Sequence, residues 1–169
     1  MTNYGKLLVT KLQDEKSRAF PEPRKKYHHL QYEDADLQFQ IRYKEVEKYG
    51  IVLDYISINK SGPILDIDVI KKRIGDQADT IQKQITFLLE DFKLIEMDHQ
   101  SKRAQLRSYP PYKEEDSKYF YEIILDEGTK VHFQRYEFNM KKKRYEKITS
   151  QLTIETFERL VNELVAILD

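Results

Sequence analysis

Polar and apolar positions alternate strictly from Leu37 onward: Leu37, Phe39, Ile41 and Tyr43 fall on one side, and Gln38, Gln40, Arg42 and Lys44 on the other. A period of two predicts a half-buried strand. A second strand, Ile51 to Ile58, comes after a turn containing Gly50 and stops at Ser61-Gly62-Pro63. The period then changes. Ile67, Ile70, Ile74, Ala78, Ile81, Ile85, Leu88, Leu89 and Phe92 recur at spacings of three and four, which places them on one stripe of a helix, and Asp66 is positioned to cap its start. Gly75 interrupts the stripe, so 66–92 reads either as one long helix or as a helix-turn-helix with its turn at Gly75-Asp76.

Leu94 to Met97 and Ala104 to Arg107 then form a hairpin around Asp98-His99-Gln100-Ser101, and Pro110-Pro111 with Lys113-Glu114-Glu115-Asp116 predicts an exposed loop. A meander continues through Tyr119 to Leu125, Val131 to Phe138 and Arg144 to Ile148, with turns at Asp126-Glu127-Gly128-Thr129 and Asn139 to Lys142. Val131 and Phe133 stand in the opposite frame from Tyr136 and Phe138, which predicts a bulge near Gln134-Arg135. Thr153 caps a last helix whose stripe is Ile154, Phe157, Leu160, Val161, Leu164 and Leu168.

Residues 1–36 carry no such period. Leu7, Leu8 and Leu12 line one face of a short helix, but Pro21 and Pro23 break the chain beyond it, and the stretch through Lys25, Lys26, His28 and His29 is polar. The segment reads as an arm or loosely packed lead-in to one domain at 37–169. Short connections between strands favour antiparallel pairing, and each striped helix needs a sheet to cover. The expected class is α+β: a mostly antiparallel sheet of about six to seven strands with a long central helix and a C-terminal helix.

The length of 169 residues suits one average domain, with 40% hydrophobic residues. Lys plus Arg number 29 and Asp plus Glu number 29, so only a segregated patch can attract a polyanion. The absence of cysteine excludes disulfides, thiolate nucleophiles and cysteine-ligated zinc or iron–sulfur centres, and fits a reducing compartment. At the N-terminus the apolar run is only Leu7-Leu8-Val9, without a small-residue cleavage site. That is neither a signal peptide nor a membrane span, so a cytoplasmic, soluble chain is expected, with no membrane partner. The Lys- and Ile-rich composition suits a low-GC bacterial source.

Motifs for chemistry are scarce. No Gly-x-Ser-x-Gly elbow is present, and Gly5, Gly50, Gly62, Gly75 and Gly128 lie too far apart for a phosphate loop or a dinucleotide fingerprint. His28 and His29 diverge on any regular element, and His99 and His132 each stand alone, so no metal or other cofactor is expected. Asp66-x-Asp68 after Ile64-Leu65 is similar to aspartate-based phosphoryl-transfer sites, yet carboxylates in a first helical turn are favoured by capping and the macrodipole alone. No catalytic residue is assigned.

Two features stand out. Residues 130–147 hold Lys130, Arg135, Lys141, Lys142, Lys143, Arg144 and Lys147 against Glu137 and Glu146, interleaved with Phe133, Tyr136, Phe138 and Tyr145. Cations among aromatics suit phosphate contacts with base stacking, although a Lys-rich hairpin also serves simply to keep an edge strand from aggregating. The second feature is local: Val69 to Ile74, Gly75-Asp76, Thr80 to Phe92 and the hairpin Lys93 to Arg107 together resemble a winged helix-turn-helix. In that resemblance 80–92 is the recognition helix and Ser101-Lys102-Arg103 the wing tip. Asp76, Asp79, Glu90 and Asp91 against Lys83 alone oppose placing such a helix among phosphates.

With 12 Tyr, 8 Phe and no catalytic signature, the leading expectation is a non-enzymatic protein-interaction module of adaptor, chaperone-like or toxin-neutralising kind. Its partner is an unidentified protein or a second copy of the chain, met through exposed apolar positions of helix 66–92 or an edge strand beginning at Leu37. The alternative is a nucleic-acid-binding protein that uses Lys102, Arg103, Tyr136, Lys141, Lys142, Lys143, Arg144 and Tyr145.

Overall fold

The computed structural model describes residues 2–18, 26–62, 65–98, 100 and 102–169. Pro21, Pro23, Lys25, Pro63, Ile64, His99 and Ser101, which the sequence assigns to turns and to the lead-in, lie outside the described residues. In chain order the first elements are α1 (Tyr4–Arg18), β1 (His28–Asp34), β2 (Leu37–Val46), β3 (Gly50–Lys60) and α2 (Ile67–Gln84). After them come β4 (Asp91–Asp98), β5 (Arg103–Tyr109), β6 (Tyr112–Glu114), β7 (Ser117–Asp126), β8 (Lys130–Asn139), β9 (Arg144–Ile148), β10 (Ser150–Thr153) and α3 (Ile154–Ile167).

The fold is α+β. Seven main strands lie antiparallel in the order β1-β2-β3-β8-β7-β5-β4, with β6, β9 and β10 as short partners of β7, β8 and β3. Two meanders therefore meet where β3 pairs with β8. The first leads into α2 and the second into α3, yet α2 packs on β4, β5 and β7, while α3 packs on β3 and β10. α2 thus covers strands of the second meander, and α3 covers β3 of the first together with β10, which pairs with it. Arg73 and Gln77 on α2 fasten this exchange: Arg73 Nε and Gln77 Nε2 donate to Gly128 O at 2.8 and 2.9 Å, and the same side chains reach Leu168 O and Ile167 O at 2.6 and 3.1 Å. The last carbonyls of α3 have no helical partners of their own, so these donors satisfy them.

Local chemistry explains most elements. In β2, Leu37, Phe39, Ile41 and Tyr43 are buried, as the alternation requires. Asp66 caps α2 by accepting from Val69 N at 3.0 Å, and Thr153 caps α3 by accepting from Thr156 N at 3.1 Å. Within the first 36 residues, α1 buries Leu8, Val9 and Leu12 in the common core, and β1 pairs with β2 along its whole length. At Gly5 an added Cβ would collide with the Glu158 carbonyl oxygen, so α1 and α3 touch backbone to backbone there.

Four expectations are corrected. The strand beginning at Leu37 is not an edge, because β2 is flanked by β1 and β3. The segment 66–92 holds a single helix that passes through Gly75 without a turn but stops at Gln84, short of Phe92; Ile85, Leu88 and Phe92 stay buried, but from an irregular segment and from β4. No helix spans 80–92, so the winged helix-turn-helix has no recognition helix. The β7–β8 register runs unbroken from Ser117↔Asn139 to Asp126↔Lys130, which removes the bulge expected near Gln134-Arg135. Tyr136 and Phe138 simply face the other side of the sheet from Val131 and Phe133. Finally, the loop expected at 110–116 contains β6, closed onto β7 through Tyr112↔Tyr119.

Candidate functional site

All three helices join one core on one face of the sheet, and among the described residues no helix covers the other. Register builds that open face row by row. One row reads Gln38, Asn59, Lys130, Asp126, Arg103; the next reads Gln40, Ser57, His132, Ile124, Gln105; a third reads Arg42, Tyr55, Gln134, Glu122, Arg107. Where β8 leaves β3, β9 takes its place, so Lys147, Tyr136 and Phe120 form a further row. A trough of about 500 Å³ runs across these rows, lined among others by Gln38, Gln40, Ser57, Asn59, Arg103, Glu122, Lys130, His132, Tyr136 and Lys147.

At one end of the trough the face is aromatic. Phe120 stacks on Tyr136 at 5.7 Å and meets Tyr145 edge-on at 6.0 Å, while Phe138 lies 4.6 Å from Tyr145. The Arg107 guanidinium sits 4.5 Å from the Phe120 centroid and 5.2 Å from that of Tyr145. Arg107 Nε is also 3.5 Å from Glu122 Oε2, to which Gln105 Nε2 donates at 2.6 Å. Burial, reinforced by Glu122, raises the Tyr136 phenol above its ordinary pKa, so it stays a neutral donor at physiological pH.

A polar chain begins at Asp54, in the fork between β3 and β8, and ends in the trough at His132 and Ser57. Asp54 Oδ2 is 3.2 Å from Arg42 Nε, whose guanidinium lies 4.0 Å over the Tyr27 ring. Gln134 Nε2 donates to Asp54 Oδ1 at 3.1 Å, which leaves Gln134 Oε1 to accept from His132 Nε2 at 3.0 Å. With its proton on Nε2, the ring presents Nδ1 to the Ser57 hydroxyl, 2.5 Å away. Burial pushes the His132 pKa below the ordinary histidine value, and Lys147 adds to the shift. The imidazole is therefore neutral at pH 7.

The residues singled out from sequence divide into two groups. Arg103 and Tyr136 line the trough, and Tyr145 joins its aromatic end. The others sit on hairpin tips. Lys102 has φ 57° at the β4–β5 tip, where its carbonyl accepts from Glu127 N at 2.8 Å. Lys141 Nζ pairs with Asp116 at 3.1 Å, the Lys141 and Lys142 amides both donate to Asn139 Oδ1, Lys143 has φ 52°, and Arg144 pairs with Asn139 across the strands. Sequence reasoning missed Ser57, His132, Gln134 and Lys147 as a group. The polar phase of the alternation in β2 and the basic-aromatic stretch 130–147 pointed to this face.

Among the described residues no three or more His, Asp or Glu side chains are grouped to hold a metal ion, and no helix is long and apolar enough to cross a membrane. No protein-family model matches the chain, and no curated protein matches it. Among solved structures, the crystal structure of WHY1 from Arabidopsis thaliana is similar over 88% of this chain and 86% of that one, at 9% identity and a TM-score of 0.20. A likeness that weak carries no argument about fold or function.

Proposed function

We propose that the open sheet face binds a single-stranded nucleic acid. The observation that carries this reading is the interleaving of Tyr136, Phe120, Tyr145 and Phe138 with Arg107 and Lys147 at the end of a trough that also presents Lys130 and Arg103. Rings offer stacking surfaces to unpaired bases, cations meet the phosphates, and the amides of Gln38, Gln40 and Asn59 suit base edges. Among the described residues no helix lies on this face to enter a duplex groove. Glu122 is already engaged by Arg107 and Gln105, which tempers its repulsion of phosphate.

The test is fluorescence anisotropy with labelled single-stranded DNA and RNA of about 20 nucleotides. Binding that weakens steeply between 50 and 200 mM salt is expected, because each neutralised phosphate releases counterion. Tyr145→Ala and Lys147→Glu should each weaken it, by about 1–3 kcal/mol for the stacking residue. Absence of binding at 50 mM salt, or indifference to both variants, defeats the proposal.

A second reading, a protein-interaction module, is favoured by the outer strand β4. Leu94 and Ile95 are 39% and 53% exposed there, and Leu89, just before the strand, is wholly exposed at φ 69°. An exposed apolar edge invites strand addition by a protein partner or a second copy. Light scattering and native pull-down of the chain and of Ile95→Lys test it: a complex or dimer lost in the variant is the expected result, and a monomer without partners sinks it.

A further inference from the structure

We propose that Ser57 is a nucleophile with His132 as its general base, forming a site that takes an acyl group from a carboxylic ester bearing an anionic substituent. This reaches beyond nucleic-acid binding and does not depend on it. A serine hydroxyl is a weak nucleophile until a base lies within hydrogen-bond reach and is held in the correct tautomer by a third group. Each requirement is met here by a named contact. His132 Nδ1 is 2.5 Å from Ser57 Oγ, and Gln134 holds the proton on Nε2 because its own amide is committed to Asp54. Tyr55 packs on the imidazole at 5.1 Å between centroids, fixing the plane of the ring.

Ser57 and His132 are half-buried in the trough rather than sealed in the core, so a small ester can reach them. Ser57 pairs with Gln40 on one side and with His132 on the other, so its backbone N–H belongs to the sheet ladder. Donors for a developing oxyanion and for the substrate's anionic group must therefore be side chains, and Lys130 and Lys147 line the same trough. In the step, Ser57 Oγ forms a bond to the acyl carbon while its proton passes to His132 Nδ1. The bond from that carbon to the leaving oxygen breaks, and the leaving alcohol takes the proton from His132. Water then releases the acid by the same proton path.

A fluorophosphonate probe tests the pair directly, since an ordinary serine hydroxyl does not displace its fluoride and one activated by a neighbouring base does. Intact mass and peptide mapping should show one adduct, on Ser57, absent in Ser57→Ala. In His132→Gln, which keeps a polar side chain in the row but cannot take the proton, labelling should slow by on the order of 10²-fold. No adduct, adducts confined to Tyr or Lys, or an unchanged rate at Ser57 in His132→Gln would overturn the proposal. A measurement on the unaltered chain guards against a variant that misfolds: nitrogen-15 NMR should find His132 Nδ1 unprotonated at pH 7, and a proton on Nδ1 also overturns it.

Discussion

The two faces of the sheet are built by the same strands and obey different rules. On the covered face Phe39, Ile41, Ile56, Ile58 and Phe133 are each at most 1% exposed and share one core with all three helices. On the open face those strands present Gln38, Gln40, Ser57, Asn59, His132 and Gln134, several of which bond to one another across strands: Asn59 Nδ2 donates to Gln38 Oε1 at 2.7 Å, as Ser57 does to His132. Alternation thus assigns stability to one side and leaves the other free to carry chemistry. Changes on the covered face should be felt by the whole fold, and changes on the open face mainly by what it binds.

The sharpest way to break that comparison is to empty one site on each face. Phe133→Ala removes a fully buried ring and should cost about 3–5 kcal/mol in urea unfolding. Gln40→Ala on the neighbouring open row should stay within about 0.5 kcal/mol. Equal losses would mean that the open face is part of a core. The next largest effect is expected at the α1–α3 crossing. Gly5→Ala drives a Cβ against the Glu158 backbone, which must move aside, at about 1–3 kcal/mol with faster hydrogen exchange in α1. Gly75→Ala, where an added Cβ meets nothing within 4 Å, should instead stabilise by about 0.5–1 kcal/mol.

Sequence exposed the covered face far better than the open one, for a physical reason. Burial imposes a period, so β2, the caps at Asp66 and Thr153, and the stripes of α2 and α3 were all readable. The same rule misled where apolar residues serve the core without belonging to the helix. Ile85, Leu88 and Phe92 continue the spacing of α2 although the helix has ended, because any segment that lies over the core must be apolar there. It misled again at Tyr136 and Phe138, whose rings are covered by Phe120 and Tyr145 on the open face rather than by a helix. β1 escaped notice because Leu30 is its one buried residue. The Ser57–His132 pair joins positions 75 residues apart, and only the meeting of β3 with β8 brings them together.

The polar chain makes a weaker, pH-dependent contribution that sharpens the comparison from the open side. Burial lowers the folded-state pKa of His132 below that of the unfolded chain, so below the ordinary histidine value the unfolded state binds the extra proton more readily. Stability from this group is therefore complete above about pH 6.5 and declines as pH falls towards the depressed folded pKa. His132→Gln should flatten that part of the stability profile in urea titrations between pH 7 and pH 5. If the variant declines as steeply as the parent, other groups govern the acid limb.

The smallest effect on folding, and the most useful for locating the binding surface, is expected from reversing the basic tip. Lys141 pairs with Asp116 where both side chains are largely exposed, at 77% and 47%, and such pairs contribute little. Changing Lys141, Lys142, Lys143 and Arg144 together to Glu should leave stability within about 1 kcal/mol. If nucleic acid lies along the trough, these charges act on it only through salt-screened distance, which at 0.15 M extends about 8 Å. The reversal should then weaken binding less than Lys147→Glu alone, and the gap should widen as salt is raised. The opposite ranking, with the tip variant inactive and Lys147→Glu unimpaired, would move the interface off the trough and onto the tip of the β8–β9 hairpin at Lys141–Arg144.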